Sequence, residues 1–226
     1  MKFFIDTANL QHIEDILKKG FVSGITTNPS LIAKEPNSDY LEHCKKIVEI
    51  CRDIKDVPLS VEVFTNDTNE MYDQSMSLLD GLDYDGANIK IPVGYEELEV
   101  VNRLYQNGVD VNVTCCFTES QMEFSALAGA RYVSLFYNRL LDWGGDPNQV
   151  LKNVREIFDK NTISSEIIVG SIRHQRDVEN SWKNGGHIIT AGYNLFPSIL
   201  QHPQTTFSVE KFISDFSEWS KNKDKK

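Results

Sequence analysis

Asn88-Ile89-Lys90-Ile91-Pro92 is a short apolar run with one ammonium group in its middle. Read as a strand, it sends Ile89 and Ile91 to one face and Lys90 to the other, because side chains alternate with a period of two. The ordinary reading of such a lysine is an edge-strand cation that points into water and guards against edge pairing. The functional reading is a desolvated amine. Taken out of water, an amine loses its preference for the charged form and becomes a nucleophile able to form a Schiff base with a carbonyl. The rest of the chain decides between them.

Outward from this stretch, strand and helix patterns alternate. Strands are expected at residues 3–6, 21–25, 58–64, 87–91, 109–116, 131–136, 166–171 and 187–190. Between and after them, helical periodicity marks 10–17, 39–54, 68–82, 95–107, 120–130, 149–160, 177–183 and a short piece near 197–201. Lys18-Lys19-Gly20 and Gly108 are expected stops, Asn28-Pro29 a turn, and residues 138–147 a loop carrying Arg139, Asp142 and Gly144-Gly145. Regular alternation implies a parallel sheet, and about eight units in this length imply an α/β fold with a closed (β/α)8 TIM barrel. The competing open, doubly wound sheet lacks its Gly-x-Gly-x-x-Gly after the first strand.

No composition break marks a linker, so one domain over residues 1–226 is expected. A further helix at 207–220 carries Val209, Phe212, Ile213, Phe216 and Trp219 at helical spacing, a stripe suited to core or subunit interface. Residues 221–226 are expected to fray.

Of 226 residues, 40% are hydrophobic and 25% charged, enough for a sizeable core, and the net charge of −10 offers no broad basic field for nucleic acid or an anionic membrane. A phosphorylated substrate would need a few local arginines. The N-terminus lacks the apolar core of a signal peptide, and no run approaches the roughly 18 residues of a membrane span, so a cytoplasmic protein is expected. Cys44 and Cys51 are too far apart on one helix to bridge, Cys115 and Cys116 point to opposite faces of a strand, and none has zinc spacing, so reduced thiols are expected. His43 is expected at the surface.

Barrel enzymes carry their chemistry at the C-terminal ends of the strands. Those ends hold Asp6, Thr27 and Asn28, Glu62, Lys90, Asn112 and Thr114, Ser134, then Ser171 and Arg173. Each has a structural explanation alone: Asp6 as a helix cap, Thr114 as a β-former, Asn28 as a turn residue, the arginines as solvated. Together, a lysine, two carboxylates and two arginines around one mouth form a candidate site.

Phe4-Ile5-Asp6-Thr7, Gly24-Ile25-Thr26-Thr27-Asn28-Pro29-Ser30, Val61-Glu62-Val63, Ile89-Lys90-Ile91-Pro92, Asn112-Val113-Thr114, Tyr132-Val133-Ser134-Leu135-Phe136 and Ser171-Ile172-Arg173 resemble the transaldolase family, in its short subgroup that also contains the fructose-6-phosphate aldolases. The match runs from the first strand to about Ser220. Ile189-Thr190-Ala191-Gly192-Tyr193 and Cys115-Cys116 depart from the usual pattern.

The resemblance implies a Schiff-base mechanism on Lys90 with neither metal nor cofactor. Asp6 would move the proton of the cleaved hydroxyl, while Glu62 and Thr114 would hold a water that shuttles protons. It implies that Thr27, Asn28, Asn112, Ser134 and Phe136 surround the retained dihydroxyacetone unit, and that Arg139, Ser171 and Arg173 hold phosphate. Short members form rings of five, often stacked in pairs, so a homo-oligomer, pentamer or decamer, is implied. Transfer of dihydroxyacetone between sugar phosphates is the expected activity. The alternatives are an aldolase that releases dihydroxyacetone and a catalytically silent sugar-phosphate sensor. The aldolase branch carries tyrosine at the position of Phe136 and glutamine at that of Glu62.

Overall fold

The computed structural model describes residues 1–221. Its strands are Lys2–Asp6 (β1), Val22–Thr26 (β2), Leu59–Glu62 (β3), Ala87–Pro92 (β4), Val111–Cys116 (β5), Tyr132–Phe136 (β6), Glu166–Ile172 (β7) and Ile188–Ala191 (β8). They pair in parallel in chain order and close, β8 against β1. A closed sheet has no edge, so Lys90 on β4 is not an edge-strand cation.

The helices are Leu10–Lys18 (α1), Pro29–Ile32 (α2), Tyr40–Ile54 (α3), Thr68–Leu82 (α4), Glu97–Gln106 (α5), Glu119–Leu127 (α6), Tyr137–Asp142 (α7), Pro147–Asn161 (α8), Gln175–Lys183 (α9), Leu195–Leu200 (α10) and Pro203–Lys221 (α11). Several starts are fixed by side chains that accept a hydrogen bond from a free N–H of the first turn. Asn9, Asp39, Asp67 and Asp146 do this for α1, α3, α4 and α8, each worth about 1 kcal/mol. Thr118 and Gln121 form a reciprocal capping box on α6.

Ile5, Ile25, Val61, Ile89, Ile91, Val113, Leu135, Val169 and Ile189, all fully buried, belong to the core shared by sheet and helices. Burying each such side chain contributes roughly 1.5–3 kcal/mol. The alternate residues face the barrel axis. Phe4, Tyr132, Ile168 and Ile188 cluster as its floor. Gly24 makes room for that floor: a Cβ there would stand 2.3 Å from the Phe4 ring. Above the floor the inner face turns polar.

Four expectations change. Residues 138–147 are not all loop, because α7 occupies Tyr137–Asp142. The last helix begins at Pro203, earlier than expected, and reaches Lys221; the rest of the expected tail, 222–226, lies outside the described residues. His43 is buried, its Nε2 2.8 Å from the carbonyl oxygen of Ala8, because the apolar face of α3 turns it against the β1–α1 loop. Strict alternation fails at Cys115, where φ is +62° and the β5–β6 register shifts.

All four thiols are free, and burial pushes Cys44 up to about 12 and Cys51 up to about 11. Among the described residues, no helix is long and apolar enough to cross a membrane.

Candidate active site at the mouth of the barrel

Lys90 is buried inside the barrel. Its Nζ lies 2.9 Å from Oε2 of Glu62 and donates to the Thr27 carbonyl oxygen at 3.1 Å. Glu62 is its register partner on β3, so the pairing that closes the barrel also delivers the counter-ion. A buried ammonium without a carboxylate would be strongly destabilising. Tyr40 donates to the Glu62 carbonyl oxygen at 2.9 Å and packs edge-on against Phe64, fixing the end of β3.

Across the mouth, Asp6 accepts a hydrogen bond from Thr26 Oγ1 at 2.7 Å, and Thr26 Oγ1 lies 2.6 Å from Thr190 Oγ1. A hydroxyl has one proton, so with Thr26 donating to the carboxylate, Thr190 donates to Thr26. Asp6 thus stands at the end of a two-hydroxyl chain running from β8 through β2.

A second polar chain runs along β3 to β6. Ser134 Oγ donates to Asn112 Oδ1 at 2.6 Å, Asn112 Nδ2 to Ser60 Oγ at 3.1 Å, and Ser60 Oγ to Asn88 Oδ1 at 2.6 Å. These buried groups satisfy one another, which fixes their rotamers. The hydroxyl of Thr114, also buried, has no hydrogen-bond partner among the described residues. Beside it, burial raises the Cys115 thiol above its ordinary range, with Glu62 adding to the effect.

The far wall is built by α7 and the end of β7. The Arg139 guanidinium sits 4.6 Å from the Phe136 ring centroid, and Phe136 packs edge-on against Phe117. Ser171 has φ of +58°. Arg173 forms a two-pronged pair with Asp142, at 3.0 and 2.5 Å, and its guanidinium holds the Asp142 carboxyl below the usual carboxylate range.

A cavity of about 80 Å³ gathers Asp6, Asn28, Lys90, Thr114, Ser134, Phe136, Arg139 and Ser171, and adds Thr26, Gly170 and Thr190. Asn28 also caps α2, accepting from the Leu31 N–H at 3.0 Å. Glu62 and Asn112 stand behind this lining, in contact with Lys90 and Ser134. Thr27 offers Lys90 its carbonyl oxygen while its hydroxyl donates to Ser60 O at 2.8 Å. Arg173 lies at the rim, half exposed, outside the cavity wall. Thr26 and Thr190 were not among the sequence candidates; their signal is the period of two, which places Thr26 on the same face as Asn28 and turns Thr27 away.

Fold and site together define a (β/α)8 barrel with a buried amine–carboxylate pair at the C-terminal ends of its strands. The model of the family described as transaldolase/fructose-6-phosphate aldolase matches residues 3–226. A probable transaldolase of Thermoanaerobacter sp. (strain X514) is 40% identical over 216 residues, covering 96% of this chain and 97% of that protein. One of Streptococcus pyogenes serotype M5 is 40% identical over 221 residues, 98% and 100% of the two chains. Probable transaldolase 1 of Bacillus cereus is 37% identical over 225 residues and the full length of both. A solved thiamine phosphate pyrophosphorylase from Pyrococcus furiosus superposes with a TM-score of 0.60 at 13% identity, covering 84% of each chain, a likeness of fold alone. The chain belongs to the transaldolase/fructose-6-phosphate aldolase family.

Proposed function

We propose that the protein is a cytoplasmic transaldolase: it moves a dihydroxyacetone unit from sedoheptulose 7-phosphate or fructose 6-phosphate to glyceraldehyde 3-phosphate or erythrose 4-phosphate. The observation that carries this reading is the buried Lys90 paired with Glu62 and facing, across one small cavity, the carboxylate of Asp6.

Lys90 gives a proton to Glu62, whose Oε2 lies 2.9 Å from its Nζ, and so frees a lone pair. Its Nζ attacks the ketose carbonyl, the resulting carbinolamine loses water, and an imine forms. Asp6 takes the proton of the C4 hydroxyl, the C3–C4 bond breaks, the aldose phosphate departs and the electron pair resides in an enamine on Lys90. Addition of that enamine to a second aldehyde, proton return from Asp6 and hydrolysis of the new imine complete the transfer. Glu62 and the otherwise unsatisfied hydroxyl of Thr114 hold the water that carries protons during imine formation, a role worth roughly 10²–10⁴-fold. Asn28, Asn112 and Ser134 hold the hydroxyls of the retained unit, and Thr27 positions Lys90. Arg139, Ser171 and Arg173 take the phosphate, through charge-assisted bonds at the rim. A second arm of the reading is assembly: α11 packs on a neighbouring copy in a ring of five, single or stacked.

Transfer and release are separated by what water can do to the enamine. Phe136 lines the cavity with an apolar ring stacked under Arg139 and offers no hydroxyl to orient a protonating water. Borohydride reduction with fructose 6-phosphate should attach the three-carbon unit to Lys90, and Lys90→Ala should abolish it; labelling of another lysine would refute the mechanism. With fructose 6-phosphate alone, dihydroxyacetone should accumulate slowly, erythrose 4-phosphate should divert the unit into product, and Phe136→Tyr should narrow the gap. Rapid release without acceptor would make the protein an aldolase instead.

A further inference from the structure

The phosphate site just proposed is split between two segments that are not neighbours in sequence, Arg139 on α7 and Ser171 at the end of β7 with Arg173 just after it. Ser171 takes φ of +58°, a left-handed conformation that a side chain disfavours unless its surroundings impose it. Those surroundings are two buried polar side chains. Asp177, at the start of α9, accepts through Oδ2 from the Arg173 N–H at 3.0 Å, the His174 N–H at 2.8 Å and Asn138 Nδ2 at 2.7 Å. Asn138 Nδ2 donates its other hydrogen to the Ser171 carbonyl oxygen at 2.8 Å. Both hydrogens of one amide are therefore spent joining the end of β7 and the start of α9 to α7, one residue before Arg139. A carboxylate that only capped α9 would need the His174 N–H alone.

We infer that Asn138 and Asp177 are positioning residues for the oxyanion site: their contact sets the distance between Arg139 on one side and Ser171 and Arg173 on the other. This rests on the reading of those three residues as the phosphate contacts. Asn138→Asp keeps the size of the side chain, removes the donor to Ser171 O and sets a second carboxylate against Asp177. Such a change falls on binding of the phosphate and leaves the chemistry at Lys90 in place.

The test compares Asn138→Asp, Arg139→Ala and Arg173→Ala on fructose 6-phosphate and on unphosphorylated fructose as donors, with inorganic phosphate as competing anion. For Asn138→Asp, KM for fructose 6-phosphate and the inhibition constant of inorganic phosphate should each rise about tenfold, while kcat/KM on fructose changes by less than about twofold. An equal loss on both donors would make Asn138 merely structural and overturn the inference. So would selective losses in the two arginine variants with none in Asn138→Asp. If neither arginine variant discriminates between the donors, the phosphate reading itself fails and the inference falls with it. Should Asn138→Asp lose its cooperative melting transition, Asn138→Ala, which leaves Asp177 its two backbone donors and adds no like charge, is judged by the same split.

Discussion

Lys90 and Glu62 have side chains only 6% and 14% exposed, and each makes burial of the other tolerable. Glu62→Ala leaves the ammonium with the Thr27 carbonyl oxygen as its only hydrogen-bond acceptor among the described residues, and should cost about 3–5 kcal/mol in urea unfolding. The Lys90→Ala, Glu62→Ala double variant should lose clearly less than the sum of the single losses, since it strands no charge; additivity would show that the pair does not couple. A different residue contributes to sensitivity to mild acid. His187 Nδ1 accepts the Ile167 N–H at 2.9 Å, and burial first, then Arg155, lowers its affinity for a proton below the ordinary histidine value of 6.5. The unfolded chain takes that proton more readily, so the fold should lose stability as pH falls below about 6.5, and lose no more once pH is below the depressed folded value. His187→Asn, which keeps an acceptor that does not titrate, should flatten the urea midpoint between pH 5 and 7; an unchanged slope would clear His187 of the effect.

At the scale of elements, the eight strands and the long helices were legible because each repeats an apolar residue at its own period, two or about 3.6. Short pieces were not. The four residues of α2 and six of α7 are too few to show a period, and α7 is held by tertiary contacts, Asn138 to the Ser171 carbonyl oxygen and Asp142 to Arg173. Lys90, Asp6 and Glu62 were legible as polar residues in strands too apolar to need them. Thr26 and Thr190 carry no such signal, because threonine in a strand is ordinary. The Asn138–Asp177 contact joins residues 39 apart and leaves no local signal. The α11 stripe was legible, and Phe207, Phe212, Ile213, Phe216 and Trp219 are each more than half exposed in the single chain. A patch of that kind is unfavourable in water unless another surface covers it. If the proposed ring forms through α11, truncation before Ser208 should give a monomer by light scattering, with the barrel's circular dichroism retained; an unchanged particle size would refute α11 as the subunit contact.

For the molecule as a whole, the reaction needs a negatively charged protein to hold anionic sugars. On the proposed reading it does so with three cations at the mouth, Lys90 inside the barrel and Arg139 and Arg173 toward its rim, under a net charge of −10. Closure of the sheet makes that end possible, and closure depends on β1 meeting β8, Lys2 against Ile188. On the ribosome, β1 emerges first and waits for its last partner. At about 5–20 residues per second, translation from Asp6 to Ile188 takes on the order of ten to forty seconds. Through that interval one edge of β1 stays unpaired, and the Phe4 ring lacks the Ile188 side chain that completes the barrel floor. The enzyme is thus born as an open sheet, and its exposure to aggregation or to chaperones is set by the time between its first strand and its last.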